Sequence, residues 1–247
     1  MRQRRGGGDP PRRSGRLVAL GLVIARGGSK GLQRKNVLPL GGRPVIAHTI
    51  EAALGCRALA RTILSSEDAE ILDVGRRAGC PAPFVRPAEL ADDHSSTVAV
   101  TLHALDWLES REGFTPDVVA LLPATAPLRR SEHIEGALDV LHADGAAEAV
   151  VAVTEPDYSP YWMFTLSHGR LAWLFPEGRT VSRRQDLPGV YRPNGSIYAV
   201  RVPALREQGT FYPRATGAYV MPRESSVNID SEMELRLAEV LLARRSA

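Results

Sequence analysis

Four short apolar runs, ALGLVIA (19–25), TILSS (62–66), DVVALLP (117–123) and EAVVAVTE (148–155), are separated by stretches of helical character. Runs this short and this apolar read as strands. Strands that alternate with helical patterns make a parallel sheet covered by helices. PVIAHTIEAAL (44–54) has proline in its first turn and Gly55 just past its end, the asymmetry expected of a helix. EDAEILDVGRRAG (67–79) and SSTVAVTLHALDWLESR (95–111) supply two further helical stretches.

After Glu155 the rhythm breaks. PDYSPYWMF, LAWLFPEG and SRRQDLPGVYRPNGSIYAV are aromatic, proline-bearing and turn-rich, which predicts an excursion from the sheet at about 156–192. SIYAV (196–200) rejoins the sheet, and SEMELRLAEVLLARR (231–245) closes the chain as a helix with one buried face. No internal repeat is evident, and 247 residues suffice for one large α/β domain over 17–247.

Charge narrows the partners. Residues 1–16 hold six Arg and one Asp, a local +5 against +3 for the whole chain, which leaves the body at −2. That predicts a disordered basic leader ahead of a mildly acidic globular body and gives no support to a nucleic-acid partner. The leader followed by LVALGLVIA (17–25) resembles a secretory signal, but the apolar run ends in Arg26 without a small-residue cleavage pattern and reads better as a first strand. Cys56 and Cys80 lack CxxC or metal spacing, so two reduced thiols and a cytoplasmic location are expected. No stretch reaches the roughly 18 apolar residues of a membrane span.

The first strand runs into RGGSKG. Gly27, Gly28 and Gly31 let the backbone turn sharply and aim its N–H groups into a concavity, as phosphate-holding loops do. The order matches neither the GK[ST] of a P-loop nor the GxGxxG of a dinucleotide fold, and the latter absence argues against an oxidoreductase. Of 31 basic residues only Lys30 and Lys35 are lysine, both beside this loop. An ammonium is a compact point charge and a guanidinium a broad fork, so a crowded phosphate site explains lysine held against the bias.

ARGGSKGLQRKN (25–36), followed by LGGRPVIAHTIEAAL, resembles the nucleotide-binding signature of the acylneuraminate cytidylyltransferases, the family that includes CMP-sialic acid synthetases. VRPAELADDHSST (85–97), LLPATAPLRRSEHI (121–134), RRQDLPGVYRPNGSIYA (183–199) and VNIDSEMEL (227–235) match later blocks in order, so the similarity spans about 18–242. The resemblance implies a Rossmann-like α/β fold, a mostly parallel sheet with helices on both faces and a protruding dimerisation segment. It implies transfer of CMP from CTP to an acidic sugar, with release of pyrophosphate, by a magnesium-dependent homodimer.

Carried over residue by residue, Arg26, Ser29, Lys30 and Lys35 fall where the family holds the CTP phosphates, in the loop of Gly27, Gly28 and Gly31. Asn36 and Arg86 meet the nucleotide, with Thr97 near the base. Arg184, Gln185, Tyr191, Asn194 and Tyr198 face the acceptor acid, and Asp230 is the carboxylate left for Mg2+. Three departures stand out. Pro123-Ala124 replaces Gln-Pro, no lysine lies near Tyr161 and Trp162, and Asn228-Ile229-Asp230 replaces DID. Two of these lie on the acceptor side, which leaves open a sialic or nonulosonic acid, a Kdo-like sugar or a small phosphonate. An inactive nucleotide-binding relative is the alternative that Asn228 suggests.

Overall fold

The computed structural model describes residues 17–28, 31–92 and 95–245; the predicted leader, Ser29 and Lys30 lie outside them. A six-stranded sheet is built from β1 (Ala19–Ile24), β4 (Arg61–Ser65), β5 (Val118–Pro123), β6 (Ala149–Thr154), β9 (Arg192–Arg201) and β10 (Thr216–Val220). Its order is β10-β6-β9-β5-β1-β4. All neighbours pair in parallel except β9, which runs antiparallel to both β5 and β6. Two short strands, β2 (Pro39–Leu40) and β3 (Arg43–Pro44), pair separately, as do β7 (Phe164–Ser167) and β8 (Arg170–Trp173).

Strand residues alternate between two apolar layers, as a period of two requires. Val23, Ala120, Leu122, Val150 and Ala199 pack with α1 (Val45–Leu54), α2 (Ala69–Arg77) and α4 (Ser131–Ala143). Leu20, Leu22, Val119, Leu121 and Val200 pack on the other face with α3 (Thr97–Glu112) and α5 (Val202–Gln208). Leu105 and Leu108 of α3 are almost wholly buried, and each contributes about 1.5–3 kcal/mol of apolar transfer. The last helix, α6 (Glu232–Arg245), seals a third small cluster through Ala238, Leu40, Leu128 and Ile229.

The apolar runs and the three early helices fall within one or two residues of the sequence reading. The helices α4 and α5 and the strand β10 were not part of it. SIYAV belongs to a longer strand that begins at Arg192, the end of the predicted excursion. That excursion contains the β7–β8 hairpin, whose turn residues His168 and Gly169 have φ of +48° and +74°, the left-handed backbone of a tight hairpin. Leu166 and Leu171 pair across it and are 72% and 66% exposed.

The topology fixes where a ligand can sit. From β1 the chain moves outward through α1 to β4, then crosses back to β5 on the other side of β1. The crevice beyond the carboxyl ends of β1 and β5 is therefore a topological switch point, the place where open α/β sheets bind ligands.

Candidate active site

A cavity of about 490 Å3 fills that crevice. Its wall includes Ile24, Ala25 and Arg26 after β1, and Pro123, Ala124 and Thr125 after β5. Gly31, Lys35, Asn36, Arg86, Thr97 and Asp230 complete most of the remainder. Seven residues predicted from separate parts of the sequence, Arg26, Gly31, Lys35, Asn36, Arg86, Thr97 and Asp230, thus meet in one concavity.

Three side chains grip three consecutive backbone residues where β1 enters the glycine loop. Arg86 Nη2 donates to the Ala25 carbonyl at 2.6 Å, Asn36 Nδ2 donates to the Arg26 carbonyl at 2.9 Å, and the Gly27 N–H donates to Glu67 Oε1 at 2.7 Å. Arg86 also donates to Glu67 Oε2 at 2.5 Å, so one carboxylate ties the loop to the buried guanidinium. Glycine is required at 27 because a Cβ there would stand 2.4 Å from Asp68 Oδ2. Asp68 is held in turn by Arg34, and it caps α2 by accepting from the Ile71 N–H at 3.0 Å. The Arg34 guanidinium holds the Asp68 carboxyl below the usual carboxylate range.

On the opposite lip, Lys35 Nζ lies 2.7 Å from Asp230 Oδ1. Asn228 Nδ2 donates to the other oxygen, Oδ2, at 2.5 Å, and Thr125 Oγ1 donates to Asn228 Oδ1 at 2.6 Å. Gly31 passes so close that a Cβ would meet the Asp230 carbonyl oxygen at 2.4 Å. Below this lip Arg129 is 2% exposed and donates to the carbonyls of Pro123 and Ser196 and, at 3.0 Å, to the Thr49 hydroxyl. Burial pushes its pKa down to about 9. It pins the segment after β5 to α1 and β9.

A second cavity of about 380 Å3 is lined by Glu155, Ser159, Arg184, Gln185 and Tyr191 among others. It lies past the end of β6 and before the start of antiparallel β9, hence beyond the same edge of the sheet as the first. Arg184 is fixed there by donating to the carbonyls of Pro156 and Asp157 at 2.9 and 3.2 Å. Asn194 and Tyr198 are not brought to either cavity. Asn194 is 1% exposed, donates to Ser226 Oγ at 3.0 Å and accepts from the Ser196 N–H at 3.0 Å. Tyr198 packs in the α3 layer, 5.8 Å from the Phe211 ring centroid, where burial pushes its hydroxyl up to about 12.

The cytidylyltransferase family profile matches residues 20–165. The pseudaminic acid cytidylyltransferase of Campylobacter jejuni is 33% identical over 220 residues, covering 89% of this chain and 94% of that protein. The chain belongs to the cytidylyltransferase family. The CMP-N,N'-diacetyllegionaminic acid synthase of Legionella pneumophila is 31% identical over 227 residues, covering 90% and 95%. A solved CMP:2-keto-3-deoxy-manno-octonic acid synthetase complexed with CTP superposes with a TM-score of 0.66 at 18% identity, over 92% of this chain and 99% of that one, a likeness of fold.

Membership makes this a nucleotidyltransferase and explains the cations around the first cavity. Glu67, Thr125 and Arg129, which brace this cytidylyltransferase site, were not among the sequence candidates. Only the fold brings them to it, since Glu67 lies forty residues from Gly27 and its partner Arg86 nineteen beyond. Among the described residues no group of three or more His, Cys, Asp or Glu could form a metal cage. Asp230, 66% exposed at its side chain, shares the lining of the first cavity with one other described carboxylate residue, Asp92. Such a donor suits Mg2+, which commonly keeps several waters and binds one or two carboxylates together with substrate phosphates.

Proposed function

We propose that this cytidylyltransferase transfers CMP from CTP to a sialic- or nonulosonic-type acid and releases pyrophosphate. One observation carries the nucleotide half. Asn36 and Arg86, 3% and 4% exposed, line the first cavity, and among the described residues Asn36 Oδ1 and Arg86 Nε, both buried, have no partner. Unpaired buried polar atoms are costly, and an acceptor and a donor left unsatisfied in two residues that line one cavity suit a site built for a polar heterocycle. Thr97 adds a hydroxyl at the first turn of α3 on the same wall.

In this reading the triphosphate runs along the glycine loop. Arg26 and Lys35 face its oxygens, and the loop of Gly27, Gly28 and Gly31 lets backbone N–H groups approach them. An acceptor oxygen attacks the α-phosphorus, the bond to the β-phosphate oxygen breaks, and pyrophosphate departs into the cluster of cations that stabilises its charge. Asp230 is the side chain that would hold Mg2+, which when bound neutralises phosphate charge as a Lewis acid. Arg184, Gln185 and Tyr191 receive the acceptor in the second cavity.

Relatives named for pseudaminic and legionaminic acids favour such an acid over a phosphonate as acceptor. Exposed Leu166 and Leu171 on the β7–β8 hairpin support a homodimer formed through the excursion, since exposed apolar patches mark association surfaces. Cys56 and Cys80 are both buried, with the Cys80 thiol pushed up to about 12 by burial, which suits a cytoplasmic enzyme. No helix among the described residues is long and apolar enough to cross a membrane.

The test is an acceptor panel with CTP and Mg2+, read by mass spectrometry for a CMP conjugate and by a pyrophosphate assay. A CMP-acid with pseudaminic, legionaminic or N-acylneuraminic acid is expected. A conjugate with phosphonates alone would replace the acceptor, and no conjugate in any lane would point to the inactive relative.

A further inference from the structure

The carboxylate of Asp230 is already engaged on both oxygens. Lys35 occupies Oδ1 at 2.7 Å and Asn228 occupies Oδ2 at 2.5 Å. The orientation of Asn228 is itself fixed, because its carbonyl oxygen accepts from the Thr125 hydroxyl at 2.6 Å, which leaves its amide N–H group facing the acid. An aspartate at 228 would accept from Thr125 equally well but could offer Asp230 nothing except a second negative charge.

Resting on the cytidylyl-transfer reading, we propose that Asn228 is a positioning residue that holds Asp230 against Lys35, and that the pair excludes a divalent cation until a triphosphate draws Lys35 away. The carboxylate accepts one charged and one neutral donor, so its charge is compensated and its strongest acceptor directions are filled. A cation arriving alone must displace an ammonium at salt-bridge distance, against like charge. A triphosphate reverses this. Its oxygens compete for Lys35, which is 17% exposed at its side chain and lines the same cavity, and they bring negative charge beside the vacated Oδ1. Oδ2 remains on Asn228 throughout, so the carboxylate does not swing out when its partner leaves. Nucleotide and cation then bind with positive coupling, and the coupling resides in one lysine and one amide.

Thermal melting of the full chain, with and without MgCl2 and in the absence of nucleotide, provides a readout independent of turnover. Wild type should melt at the same temperature in both. Asn228→Asp should melt lower without metal, because two carboxylates then face each other, and MgCl2 should restore several degrees. Lys35→Gln should gain a MgCl2 response that Lys35→Gln/Asp230→Asn lacks. If Asn228→Asp fails to fold, the Lys35 variants decide alone. A wild-type response to MgCl2 as large as that of Lys35→Gln overturns the proposal, and so does a response in the double variant equal to that of the single one. Failure here with CMP transfer intact removes the exclusion only; the expected melting pattern without any CMP transfer removes the functional reading only.

Discussion

The glycine-loop edge and the 156–192 excursion belong to one chain and open on one edge of the sheet, yet they are held in different ways. At the loop edge Arg86, Asn36 and Glu67 each grip a consecutive backbone residue, and two of the three are almost wholly buried. In the excursion no residue of β7 or β8 is buried, three short 3-10 turns replace helices, and the ion pair Arg183–Asp186 is open to solvent. The first region is rigid before any ligand arrives, and the second is an exposed surface, which fits the proposed division between a fixed nucleotide and a variable partner or acceptor. Fixed geometry in catalysis is worth most where charge develops, so the sheet core braces the phosphate side.

The difference is sharpest for Glu67→Ala. It would strip the counter-charge from Arg86, which is 4% exposed, and release the Gly27 N–H. Removing one partner of a buried pair costs about 3–5 kcal/mol, and because Glu67 is partly exposed the lower end is expected. Denaturant melts should show a loss near 3 kcal/mol, with CTP protection of the melt abolished. A loss under about 1 kcal/mol, the range of a surface pair, would mean that the two edges do not differ in this respect.

Asp230→Asn comes next. It retains the shape of the lip but removes the carboxylate that lies on Lys35, and kcat should fall about a hundredfold, roughly 2.7 kcal/mol, at limiting Mg2+. Near-full activity there would move the metal elsewhere. Lys35→Arg keeps the charge and changes the shape. A guanidinium is broader than the ammonium it replaces on the Asp230 carboxylate, in a lip where Gly31 already crowds the Asp230 backbone. A three- to tenfold drop in kcat/KM for CTP, about 0.7–1.4 kcal/mol, with an unchanged melting temperature, is expected from steady-state kinetics.

How much of this the sequence displayed follows the range of the interactions. The buried strands and the helices α1, α2 and α3 were legible because apolar runs and caps are local signals. SRRQDLPGVYRPNGSIYAV stood out for its turn residues, yet from Arg192 on it is β9, and its antiparallel entry was not legible, since direction is settled by the partners on either side. Lys35, Asn36 and Asp230 were found through motif blocks, and the fold brought them together. Tyr198 came from the same kind of block. The strand period turns it with Val200 toward α3, away from the layer of Ile197 and Ala199, and no block match carries that register. Glu67 and Thr125 gave no local signal, because their partners are 40 and 103 residues away.

The excursion offers its own test. Leu166→Glu/Leu171→Glu places two charges on the exposed hairpin face without touching either cavity. Gel filtration should show the proposed homodimer converted to monomer, while CTP protection in a melt changes by less than about twofold in affinity, a few tenths of a kcal/mol. An unchanged elution volume would overturn the proposed role of the hairpin in dimerisation.

The smallest effect is expected from Asp186→Ala, and it completes the comparison with Glu67→Ala. Both substitutions take a carboxylate from an arginine, at 2.9 Å in the excursion and 2.5 Å at the loop edge. Distance therefore does not distinguish them, and burial does. Arg183 and Asp186 have side chains 70% and 45% exposed, so water replaces each partner and salt screens what attraction remains. Exposed pairs contribute about 0.2–1 kcal/mol, and with the partners three positions apart in a short turn the lower value is expected. The variant should melt within about a degree of wild type and bind CTP normally. Raising the salt concentration should erase even that difference, whereas the Glu67→Ala deficit should persist, because a 4%-exposed guanidinium is screened by protein and not by ions. A salt-sensitive deficit in Glu67→Ala would place Arg86 in contact with solvent and the loop edge on the same footing as the excursion.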